Sequence, residues 1–173
     1  LSEWLEVQVH KDGKIYERKF SRGQITQEMS IVGNTDQCGT TVTFKPDPEM
    51  FEDTVYQYEI LHTRMREEAF LNAGLRIRTV DLRPGKEQEH SMCYAGGIRE
   101  FVTWLNKSKD ALHQDVIYMS GQKEDSIAEI ALQYNDGYND TILSFANNVH
   151  TPEGGMHEEG FKRALTNVLN AYG

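Results

Sequence analysis

Asp12-Gly13 sits between two stretches of alternating polarity, and no other feature of the chain restricts its fold as tightly. Before it, Leu5, Val7 and Val9 alternate with Glu6, Gln8 and His10; after it, Lys14–Phe20 alternates again. Period-two alternation marks a strand with one face buried. An Asp-Gly pair accepts positive φ at both central positions of a tight hairpin, whose twist then matches its flanking strands. Further strands are predicted at Met29–Val32 and Thr41–Phe44, joined through the polar run Asn34-Thr35-Asp36-Gln37. Pro46 and Pro48 close the last of these, because neither can donate to a ladder. Residues 1–50 therefore read as an antiparallel meander.

The period then changes. Tyr58, Leu61, Met65 and Ala69 recur at helical spacing and Asn72-Ala73-Gly74 is a stop signal, which predicts a helix from Tyr56 to Asn72. Leu75–Val80 and Glu87–Tyr94 form a second hairpin pattern about Pro84-Gly85-Lys86. After Gly96-Gly97, Ile98, Phe101, Val102 and Leu105 make a helical stripe. Strand patterns follow at Asp115–Ser120 and Ile127–Tyr134 with a polar loop between them, then a turn at Asp136-Gly137 before Thr141–Asn147. Past Gly154-Gly155, Phe161, Ala164, Leu165, Val168, Leu169 and Tyr172 give the last helix one apolar face. The order of elements predicts an α+β protein with a short glycine boundary near Ala95–Gly97, whose two parts pack together.

Composition narrows the function classes. The 173 residues carry 18 Lys and Arg against 27 Asp and Glu, a net charge of −9. DNA phosphates repel such a chain, so a broad nucleic-acid-coating surface is not expected. Arg64, Arg66, Arg76, Arg78 and Arg83 form a local basic cluster that Glu67, Glu68 and Asp81 dilute. Arg64 and Arg66 lie two apart on their helix and face different ways. No stretch approaches the ~18 apolar residues of a membrane span, and no leader pattern is visible. Cys38 and Cys93 are single, with no CxxC pair, which favours a reducing cytosol.

Candidate chemistry is sparse. In Cys38-Gly39-Thr40-Thr41-Val42 the glycine admits a ligand close to the backbone, and a Thr hydroxyl can both donate to and accept from a purine edge. The same string also reads as an ordinary strand entry. Gly96-Gly97 and Gly154-Gly155 precede helices without matching either phosphate-binding glycine motif, and read as turns. His157-Glu158-Glu159 suits a helix start, and without a second His at 161 it is no zinc-protease helix. Asn135–Asp140 lacks the spacing of a calcium loop. No metal site is expected, and no nucleophile, base and orienting group can be assembled.

Longer strings carry a resemblance. Leu1–Val7, Gly39–Pro48, Glu68–Leu75, Tyr94–Val102, Ala131–Tyr138, Ser144–Val149 and Glu153–Phe161 resemble, in one register, the gyrase B family of bacterial type II DNA topoisomerases. The corresponding proteins of topoisomerase IV share most of these strings. The resemblance implies that residues 1–95 are the C-terminal half of a GHKL-type ATPase domain, an α/β sandwich. Residues 96–173 would begin a transducer domain, a βαβ-type mixed sheet with helices.

By resemblance, Thr40 matches the threonine that binds the adenine edge, directly and through a water. Gly39 permits close approach there, and Val42 and Val9 wall the adenine pocket. Lys11 stands where many members carry Arg at the pocket mouth; it keeps the charge and loses the planar fork. Met156 replaces the family's usual Thr, with no reading attached. The resemblance implies ATP and magnesium as cofactors of a longer parent, an ATP-dependent type II topoisomerase that introduces negative supercoils. Its partners would be the gyrase A protein, a second gyrase B protein and double-stranded DNA, in the cytoplasm and without a membrane. The general-base Glu, the magnesium-binding Asn and the lid are expected outside this chain, so it holds no catalytic residue and is expected inactive alone. A complete, non-catalytic interaction module is the rival expectation.

Overall fold

The computed structural model describes residues 1–173 and divides into two compact units, Leu1–Gln57 and Tyr58–Gly173. The first unit is a four-stranded antiparallel sheet of β1 (Ser2–Lys11), β2 (Lys14–Ser21), β3 (Gln24–Asn34) and β4 (Gly39–Pro46), in the order β3-β2-β1-β4. The predicted hairpin is present: Asp12 and Gly13 have φ of 52° and 76°, and Lys11 pairs with Lys14. The expected meander is not. Strand β4 returns past β3 to lie beside β1, with Val7 opposite Val42 and Val9 opposite Thr40. Strand β3 is longer than predicted, because ladder bonds to β2 extend it through the polar residues Gln24, Thr26, Gln27 and Glu28.

Residues directly opposite in an antiparallel pair share a face. One face thus carries Leu5, Val7, Val9, Tyr16, Phe20, Ile25, Ile31, Val42 and Phe44. The other carries a polar lattice in which Gln8 donates to Glu17 at 2.8 Å and Lys19 bridges Glu6 at 2.8 Å and Glu17 at 3.2 Å. At one end, Arg22 pairs with the buried Asp47 at 2.8 Å and with Glu49 at 2.7 Å, tying the β2–β3 turn to the exit of β4.

The second unit contains α1 (Tyr58–Leu71), β5 (Ile77–Asp81), β6 (Gln88–Met92), α2 (Ile98–Leu105), β7 (Ile117–Lys123), β8 (Ser126–Leu132), β9 (Phe145–Ala146), β10 (Val149–His150) and α3 (Met156–Tyr172). Its centre is aromatic. Phe70, 1% exposed, stacks on Tyr94 with centroids 3.6 Å apart and on Phe101 of α2 at 4.6 Å. Within this unit, residues on either side of Ala95–Gly97 touch through these rings. Gly97 starts α2 at φ 60°, and a Cβ there would lie 3.2 Å from the Ala73 Cβ.

Several expectations are corrected. The buried face of α1 is Tyr58, His62, Ala69 and Phe70, while Leu61 stays 43% exposed. His62 turns inward because Thr79 of β5 gives it a hydrogen-bond partner at 3.1 Å. The loop between β7 and β8 is only Glu124-Asp125, with Glu124 at φ 53°. Thr141–Asn147 is mostly irregular, ending in a small hairpin turned by Asn147 and Asn148 at φ 49° and 63°. Strands within 96–173 pair only antiparallel, so the expected βαβ-type mixed sheet has no parallel pair among these residues. The apolar stripe of α3 buries no residue.

Candidate functional site

The residues singled out near the first hairpin converge at one end of the β1–β4 pair. Val9 is opposite Thr40 and Val7 opposite Val42, so the Thr40 hydroxyl shares a face with three valines. His10 pairs with Gly39, and Lys11 is the next residue outward on the Val9 side of the pleat. Gly39 has φ 152°, a backbone state that side chains rarely adopt, and nothing lies within 4 Å of the Cβ it lacks. Glycine there keeps open space beside Thr40 and an unscreened backbone facing it.

The approach to Gly39 is shaped locally. Thr35 Oγ1 accepts from the Gln37 backbone N–H at 3.1 Å and lies 3.2 Å from His10 Nδ1, while Thr35 N–H donates to Gly13 O at 3.0 Å. These bonds hold the β3–β4 connection against the tip of the first hairpin. Gly39, Thr40, Val42 and Lys11 are exposed and Val9 is half-buried. Beside them on the same face, Val7, Val9, Tyr16, Arg18, Phe20 and Met29 line a shallow concavity of about 130 Å³. Only Val9 belongs to both groups.

On the opposite face the Glu17 carboxyl lies below the usual carboxylate range, held there first by the Gln8 amide and then by Lys19 and Gln27, against the effect of burial. The sheet therefore presents a largely apolar surface to one side, with the Thr40 hydroxyl and the Lys11 ammonium at one end of it, and a charged lattice to the other. A flat heteroaromatic ring with a hydrogen-bonding edge fits the first; the ammonium at the rim suits an anionic extension of that ring. No group of three or more His, Cys, Asp or Glu is placed to hold a metal ion, so these residues do not fit magnesium by themselves.

The sequence reading missed a second polar assembly, in the other unit. Tyr58, His62, Thr79 and His90 are linked by hydrogen bonds of 2.9–3.1 Å between α1 and the β5–β6 hairpin. Tyr58, His62 and Arg66 at successive i,i+4 positions are the only signal that the sequence carries for it.

A family model described as DNA gyrase B matches residues 97–173. The chain is 49% identical over 173 residues to the DNA gyrase B protein of Enterococcus faecalis and 50% identical over 174 residues to that of Staphylococcus epidermidis. These alignments take in 99% and 100% of this chain. From end to end, the chain is similar to DNA gyrase B proteins. It spans about a quarter, 27%, of the length of those gyrase B proteins. The fold agrees: the 43K ATPase domain of Thermus thermophilus gyrase B, solved with an aminocoumarin, superposes with a TM-score of 0.86 at 35% identity. The gyrase B protein of Myxococcus xanthus superposes at 0.88 and 26% identity. Each covers 99% of this chain, which in turn covers 47% and 50% of those structures.

Proposed function

We propose that the chain is a segment of the ATP-hydrolysing component of a bacterial type II DNA topoisomerase of gyrase type, and that the β1–β4 end is one wall of its nucleotide pocket. The single observation that carries this reading is the register that sets Thr40 opposite Val9, with Gly39 at φ 152° beside it. Thr40 hydrogen-bonds the adenine edge, Val9 and Val42 flank the ring, Gly39 allows its approach, and Lys11 faces the phosphate side of the mouth. Residues 1–95 belong to the ATPase domain and 96–173 to the transducer, with the Phe70–Phe101 stack across the division.

ATP supplies the free energy, and magnesium is held by groups outside these residues, as are the general base and the lid. In phosphoryl transfer those parts position and neutralise the reacting phosphates, so this segment binds and orients but does not turn over alone. The whole gyrase B protein acts in the cytoplasm with gyrase A, a second gyrase B and double-stranded DNA, which suits an acidic segment that does not itself coat DNA. The choice of gyrase over topoisomerase IV rests on the gyrase B names of the relatives. The test is the nucleotide affinity of the whole natural protein when Thr40 becomes Val.

A further inference from the structure

Outside the β1–β4 end, one cluster joins the buried Tyr58 and His62 of α1 to the half-buried Thr79 of β5 and the exposed His90 of β6. His62 is 4% exposed and Tyr58 9%. Arg66 Nη2 lies 2.7 Å from His62 Nε2. A guanidinium can only donate, so Nε2 accepts and the imidazole proton sits on Nδ1. Nδ1–H therefore donates to Thr79 Oγ1 at 3.1 Å. The Tyr58 hydroxyl lies 2.9 Å from both Thr79 Oγ1 and His90 Nδ1 and joins the two. The other side of Arg66 is also occupied: its guanidinium carbon sits 5.1 Å from the Trp104 ring centroid of α2. Arg66 thus links α1 to α2, and His62 holds it there by a lone pair.

We infer that His62 is a proton-operated latch: neutral, its Nε2 lone pair holds the Arg66 guanidinium against Trp104; protonated, it releases Arg66 while Nδ1–H keeps its bond to Thr79. A proton on Nε2 would set N–H against N–H at 2.7 Å, with two positive charges in contact. The groups facing His62 are Tyr58, Glu59 and Arg66 from α1, Thr79 from β5 and His90 from β6. Trp104 of α2 carries no charge. Burial, then Arg66, then His90 push the imidazole below its ordinary value, and Glu59 opposes them. The latch is therefore closed above the ordinary imidazole value and opens as pH falls through the lowered one.

The test uses the full chain with Trp4→Phe, so that Trp104 alone emits. Nitrogen-15 imidazole spectra should show neutral His62 protonated on Nδ1. As pH falls, Trp104 emission should move to longer wavelength with the same midpoint as the His62 titration. His62→Gln, whose amide oxygen still accepts from Arg66 but does not titrate, should lose that shift, and His90→Gln should keep it. Arg66→Met should raise the His62 midpoint and abolish the emission shift. A shift that survives His62→Gln, a neutral His62 protonated on Nε2, or a midpoint that Arg66→Met leaves unchanged or lowers would each overturn the latch. The last two outcomes decide the matter even where His62→Gln does not fold.

Discussion

Phe70 should be the most sensitive position in the second unit, and the stack around it allows the size of the effect to be worked out. Its ring is 1% exposed, lies 14° off parallel to Tyr94 at 3.6 Å, and 6° off parallel to Phe101 at 4.6 Å. Truncating a buried Phe to Ala costs about 3–5 kcal/mol through lost transfer energy and the cavity left behind. Each aromatic pair contributes about 0.5–1.5 kcal/mol beyond its buried area, so two pairs account for roughly 2 kcal/mol of that loss. Phe70→Leu keeps most of the volume and forfeits mainly the pairs. Urea unfolding followed by Trp104 emission, in a Trp4→Phe background, separates the two contributions. With a slope of about 1.5 kcal/mol per molar, Phe70→Ala should lower the midpoint by roughly 2–3 M and Phe70→Leu by about 1 M. A Phe70→Leu midpoint equal to the parent's would refute the claim that ring stacking holds α1 to α2. A Phe70→Ala loss below about 1 kcal/mol would refute the burial itself.

Asp81 accepts from Arg83 Nε at 2.9 Å and from the Arg83 backbone N–H at 3.0 Å, and these bonds hold its carboxyl at about 2. Because that value is lowered, its contribution to hairpin stability is complete above the ordinary carboxyl range and is lost as pH falls through about 2. A carbon-13 carboxyl titration near 4 instead would mean that the Arg83 fork is not formed. Gly97→Ala forces a side chain into φ 60° with its Cβ 3.2 Å from Ala73, and should cost about 1–2 kcal/mol. The thermal unfolding midpoint should fall by roughly 2–8 °C, and an unchanged midpoint would contradict the packing at the α2 start.

What the sequence made legible follows a physical divide between local and non-local terms. Asp12-Gly13 set a hairpin because turn chemistry and strand alternation lie within a few residues of each other. The partner of β4 could not be read the same way. Alternation says which face Val42 and Phe44 occupy but not whether β1 or β3 lies beside them, and that choice is made by the bonds of Thr35 and by Val7–Val42 pairing. Helix α1 was legible as a helix, but its buried face was not. Leu61 outranks His62 in hydrophobicity, and it takes Thr79, seventeen residues away, together with Arg66 to make burying an imidazole inexpensive. At the candidate site, Thr40 and Gly39 could be singled out as residue types. Their placement against Val9 and beside Lys11 depended on the β1–β4 register, which no short-range pattern encodes. The stripe on α3 was plain in the sequence, yet periodicity shows only that a face is apolar, and here it buries nothing.

Nucleotide affinity of the whole natural protein carrying Thr40→Val, with Thr40→Ser beside it, bears most directly on the nucleotide-pocket reading. Valine keeps the shape and the strand preference of Thr40 and removes only the hydroxyl, leaving an adenine group unpaired at a cost of about 1–3 kcal/mol. ATP binding should therefore weaken by roughly tenfold or more for Thr40→Val and change little for Thr40→Ser, with folding intact in both. Wild-type affinity in Thr40→Val would contradict the account, because the β1–β4 end would then not be where the adenine edge is read.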